Sequence, residues 1–69
     1  MSIAKVIEVL AEGDSIEAAI QSAVTEASET LRGIKHVYVE GVQAIVEDNE
    51  VVKYRVNAKL TFVVEAERD

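Results

Sequence analysis

His36, Tyr38 and Arg55 are the residues of this chain best equipped to hold a ligand. An imidazole stacks on aromatic rings or coordinates a metal. A phenol offers an apolar ring with a polar tip, and a guanidinium forks onto carboxylates and phosphates. His36 is the only histidine. It stands in the phase opposite Val37 and Val39, on the strand face that Tyr38 shares. It could stack on an aromatic ligand or bind a metal, but from the residues alone an ordinary surface histidine near a strand start is the better reading. Tyr38 suits either a ligand site beside His36 or a subunit contact. Arg55 and Lys53 could grip an anionic ligand group, but ion pairs with carboxylates such as Glu40 are the better reading, individually worth little at a surface.

Other chemistry is scarce. Glu47, Asp48, Asn49 and Glu50 gather oxygen ligands, yet they lack the alternate spacing, glycine and terminal glutamate of an EF-hand loop. A solvated hairpin tip accounts for them. No nucleophile–base pair and no paired carboxylates stand out. The glycines, 13, 33 and 41, are too dispersed for a phosphate loop. The chain does not read as an enzyme.

Composition narrows the classes further. Sixty-nine residues make one domain, 1–69, near the size where a single core is marginal. Hydrophobic content of 49% argues against disorder. The absence of cysteine removes disulfides and thiolate metal sites, leaving oligomerisation or a metal on carboxylates or His36 to staple the fold. A net charge of −6 counts against nucleic-acid binding. No run is long enough to span a membrane and no signal peptide is visible, so no membrane partner and a cytoplasmic home are expected.

The elements that must position these residues centre on Val51 to Glu65. Val52, Tyr54, Val56, Ala58, Leu60, Phe62 and Val64 alternate with Lys53, Arg55, Asn57, Lys59 and Thr61, which is a strand with one dry face. Tyr54 belongs to the dry set and is expected in the core. Ile3 to Ala11 reads as a first strand, apolar on both faces apart from Lys5 and Glu8, so contact on both sides is expected. Glu12-Gly13 should end it. Asp14 with Glu17 has capping-box spacing, and Ser15 is an equally good cap. Ile16, Ala19, Ile20, Ala23, Val24, Ala27 and Leu31 form one apolar helical stripe. The spacing predicts about five turns, with Arg32 in the last and Gly33 in the left-handed position beyond. Ile34 to Val46 changes phase around Glu40-Gly41, which predicts a bulge there. Arg68 and Asp69 should fray.

The expected fold is α+β, a β-α-β-β chain whose three-stranded antiparallel sheet wraps around one helix. A last strand of roughly 45–50 Å cannot be covered by a helix of about 27 Å. Apolar ends near Phe62, Val63 and Val64 must meet another subunit or stay wet, and a closed homo-oligomer is expected.

The chain resembles the dodecin family over essentially its whole length. Lys5-Val6-Ile7-Glu8, Ser15 with Glu17-Ala18-Ala19-Ile20, Thr30-Leu31-Arg32, and Tyr54-Arg55-Val56 with Lys59 and Phe62 carry the likeness. The resemblance implies a homododecameric shell that binds flavins such as FMN or riboflavin without catalysis, placing the ligand around His36, Tyr38 and Arg55. It also implies departures. Flavin-binding members have a stacking tryptophan where this chain has His36, and a glutamine on the isoalloxazine edge where it has Arg55. A family glutamate falls on Tyr38 and a common arginine on Gln43. Imidazole stacks less well than indole, and arginine cannot accept a hydrogen bond. Flavin binding is therefore expected to be weakened or lost. Some relatives are described as calcium binders, so a cation held where rotation axes gather carboxylates, or a purely structural shell, is the alternative.

Overall fold

The structure, a computed structural model, describes residues 2–65; Arg68 and Asp69 lie outside that range. The elements run β1 (Ser2–Gly13), α1 (Ile16–Ala27), β2 (Ile34–Glu47) and β3 (Glu50–Glu65). The sheet order is β1-β3-β2 with both pairings antiparallel. The strand with the cleanest alternation is thus the central one. β2 and β3 are joined through Asp48 and Asn49, at φ 53° and 66°. Two successive positive values are what a two-residue hairpin turn matched to the sheet's twist requires, and Asp and Asn tolerate them best after glycine.

Two local expectations change, and one alternative is resolved. β1 runs through Glu12 to Gly13 instead of stopping at Ala11. Of the two expected caps the helix uses Ser15, whose Oγ accepts the Ala18 N–H at 3.0 Å. The helix also stops at Ala27, short of Leu31, so Arg32 lies outside it. Hydroxyls explain the early stop: Ser28 Oγ donates to the Thr25 carbonyl at 2.9 Å, and Thr30 Oγ1 lies at the Ala27 carbonyl. Such side chains offer the backbone alternatives to the helical ladder. Gly33 does adopt the left-handed conformation, φ 77°, and its carbonyl accepts the Val63 N–H at 3.2 Å, tying the loop to the end of β3.

The core lies between the helix and the middle of the sheet. Ala19 and Ala23 meet Val56, Ala58, Leu60 and Phe62, all buried. Alanines let the helix lie close, closest at Gly13: a Cβ there would sit 2.6 Å from the Ala19 nitrogen. The bulge expected near Gly41 is present, a register shift between Val39 and Gly41, with others at Ile34/His36 and Ile45/Val46.

Twelve helical residues cover about 18 Å, against about 50 Å for β3. Val46 and Val52 therefore stay exposed at one end of the sheet, and Ile3 and Val64 at the other. Tyr54 is half-buried, beyond the full cover of the helix. The radius of gyration is 14.7 Å, where a compact chain of this length gives about 11 Å. Accessible surface is 5082 Å², against about 4,200 Å² for a monomer of this mass. The protomer has the proportions of a part.

Candidate functional site

The chemistry lies on the sheet face turned away from the helix. Pleating puts the odd residues of β3 there, and the register assigns their neighbours. From one end to the other the rungs are Glu12–Arg55–Gln43, Leu10–Asn57–Gly41, Glu8–Lys59–Tyr38 and Val6–Thr61–His36. The face mixes charge with exposed apolar side chains: Leu10 is 68% and Tyr38 65% exposed.

Two ion pairs organise it. Arg55 donates through Nε (3.1 Å) and Nη2 (2.8 Å) to Glu12 Oε2. Lys59 Nζ lies 3.1 Å from Glu40 Oε2. Lys59 is held above its ordinary value of 10.5, first by the hydrogen bond to Glu40, then by the charges of Glu40, Glu8 and Tyr38. Both pairs are solvated, so their worth is small. The expected pairing of basic residues with carboxylates is present, but Glu40 goes to Lys59 and Arg55 goes to Glu12.

His36, Tyr38 and Arg55 share this face, yet one protomer does not bring all three together. His36 and Tyr38 are neighbours on β2, opposite Thr61 and Lys59. Arg55 lies six positions along β3 from Thr61, about 20 Å away. Tyr38, opposite Lys59, is four positions from Arg55, about 13 Å, so His36 is the outlier of the three. Beside Arg55 is a shallow cleft of about 200 Å³ lined by Leu10, Gly41, Val42, Gln43, Arg55 and Asn57. Glu12, Leu10 and Gln43 received no site role from the sequence. Only the register brings them to Arg55, although opposite charges at Glu12 and Arg55 become a usable signal once β1 is paired with β3.

Elsewhere, an apolar cleft of about 440 Å³ opens past the end of the helix, lined by Thr30, Leu31, Arg32, Gly33, Phe62, Val63 and Val64. Among the described residues, no three His, Asp or Glu side chains gather as metal ligands, and no helix is long and apolar enough to cross a membrane.

Comparison with known proteins matches residues 3–65 to the dodecin family model. Dodecin from Streptomyces coelicolor shares 34% identity over 96% of each chain, with a TM-score of 0.88. The tt0972 protein of Thermus thermophilus shares 26% identity over 97% of this chain and 100% of its own, at 0.89. A Thermus thermophilus dodecin variant with a tryptophan changed to phenylalanine shares 27% over 96% and 100%, at 0.88. No curated protein matches the sequence.

Proposed function

The chain belongs to the dodecin family, and on that premise we propose that it is a non-enzymatic, homododecameric small-ligand binding protein, its ligand a flavin such as riboflavin or FMN. The ligand is held around His36, Tyr38 and Arg55, less tightly than where an indole does the stacking. The observation that carries the reading is the uncovered sheet. A protomer with about 50 Å of central strand under about 18 Å of helix leaves both ends apolar, with Val64 and Ile3 open at one of them. A closed assembly covers such ends without leaving edges free.

In this reading the site is shared between copies. His36 lies about 20 Å along the face from Arg55, so one copy supplies the imidazole and another the guanidinium. Binding is favoured over catalysis because the face offers ion-paired charges and amides, and among the described residues the one hydroxyl opposite His36, that of Thr61, makes no hydrogen bond to it.

Size-exclusion chromatography with light scattering, recorded with absorbance from 300 to 500 nm, tests the reading. Twelve 7.5-kDa chains give about 90 kDa. That mass with a flavin band near 450 nm, native or after riboflavin is added, supports the proposal. The same mass with no band, together with a calcium-dependent rise in melting temperature that chelator abolishes, moves the function to cation binding. A monomer or dimer removes the shell and the shared site with it.

A further inference from the structure

Resting on the assembly just proposed, we infer that one contact between copies is head-to-tail. The start of α1 in one copy, Ile16 flanked by Asp14 and Glu17, docks on the apolar cleft past the end of α1 in the next, where Arg32 and Lys35 receive the carboxylates.

The two surfaces stand at opposite ends of one protomer. Gly13 lies opposite Tyr54 on the β1–β3 ladder, and the Gly33 carbonyl accepts the Val63 N–H. The helix therefore carries the chain from the Tyr54 end of the sheet to the Val63 end. Charge is divided between these ends. Residues 12–17 hold Glu12, Asp14 and Glu17 and no base, whereas residues 28–36 hold Arg32, Lys35 and His36 against Glu29. Glu12 is taken by Arg55. Asp14, Glu17, Arg32 and Lys35 make no ion pair among the described residues. Asp14 is not needed as a cap either, because Ser15 accepts the Ala18 N–H. Lys35 falls in the register shift between Ile34 and His36 and has no partner across the ladder.

Apolar surface accompanies the charge at both ends. At the helix start Ile16 is 41% exposed and lines a hollow with Asp14, Glu17 and the half-buried Tyr54. At the far end Leu31, Phe62, Val63 and Val64 line the cleft of about 440 Å³ together with Arg32. That cleft has room for an isoleucine side chain.

Charge decides which ends meet. Two copies docked cleft to cleft would set Arg32 and Lys35 against themselves, and two helix starts would set Asp14 against Glu17. Like charges so placed are penalised. Head to tail, each set of charges is answered by the other. Such a contact joins different patches on the two partners, so it repeats from copy to copy until a ring closes. A closed ring leaves no cleft and no helix start uncovered.

The test is the light-scattering mass of the full-length protein across a dilution series. Arg32→Glu with Lys35→Glu, and separately Asp14→Lys with Glu17→Lys, each put like charges across every such contact. Each should raise the protein concentration needed for assembly about tenfold or more. All four changes in one chain make the contact complementary again with its polarity reversed, and the original mass should return. Because lysines at a helix start oppose its dipole, a neutral set is measured as well, Arg32→Gln with Lys35→Gln and Asp14→Asn with Glu17→Gln. Neutralising either end should weaken assembly severalfold, and neutralising both should cost little more than either alone. If the unaltered protein assembles but neither reversal moves its mass, or the two neutral sets simply add, the head-to-tail contact is wrong and the shell stands. If the mass is unmoved and 8-anilinonaphthalene-1-sulfonate fluoresces with the assembled protein but not with Val64→Asp, the cleft takes a small apolar ligand in place of a copy. If the unaltered protein is itself a monomer or dimer, shell and contact fall together.

Discussion

Lys59 is paired with Glu40, at 3.1 Å, although the residue directly opposite Lys59 on β2 is Tyr38. Glu40 is the bulge's extra residue, with no partner of its own across the ladder. A bulge re-aims the side chain it carries, and here it delivers a carboxylate to the centre of the outer face. The phase change in β2 is therefore also what neutralises Lys59.

That pair sets a pH dependence. The Lys59 pKa is raised in the folded chain above its ordinary 10.5, so its contribution to stability is complete below 10.5 and is lost as pH rises through the folded value. The difference in melting temperature between the protein and Lys59→Met should be constant across neutral pH and vanish in the alkaline limb. A difference that persists unchanged at strongly alkaline pH would show that the ammonium is not its source.

Gly13→Ala and Gly41→Ala should behave oppositely. At Gly13 the added methyl meets helix backbone, 2.6 Å from the Ala19 nitrogen and 2.9 Å from the Ala18 carbonyl carbon. Overpacking of this kind costs about 1–3 kcal/mol, visible as a lower denaturation midpoint. At Gly41 the methyl enters open space, so stability should stay within about 0.5 kcal/mol.

Leu60→Ala should be the most damaging single truncation on β3. Leu60 is fully buried at the centre of the core, and the cavity left there costs about 2–5 kcal/mol. Chemical denaturation measures it directly.

Val64→Asp should separate assembly from folding. Val64 is 40% exposed and borders the apolar cleft past the helix. A charge there opposes burial against a second copy and leaves the protomer's own core untouched. Light scattering should report smaller species while far-ultraviolet circular dichroism keeps its native shape. An unchanged mass would mean that this end is not an assembly surface.

His36→Trp should raise riboflavin affinity, because an indole presents a larger polarisable face than an imidazole. Fluorescence titration of both proteins checks it, and equal affinities would place the stacking residue elsewhere.

Much of this architecture was legible along the chain because strand alternation and helical spacing are local signals. The dry face of β3, the apolar stripe of α1 and the bulge near Gly41 follow from which residues sit two, three or four positions apart. Where the helix ends was not legible, since the stripe continues to Leu31 while hydroxyls of Ser28 and Thr30 compete for the terminal carbonyls. The face shared by His36 and Tyr38 was visible in the alternation of β2. Their separation from Arg55, the pin from Glu12 and the opposition of Gln43 to Arg55 were not. Those depend on which strand lies in the middle and on a register set by three bulges. Pairing is a long-range choice, made by burying the alternating face of β3 under the helix, and a chain read two residues at a time carries no record of what stands across the ladder.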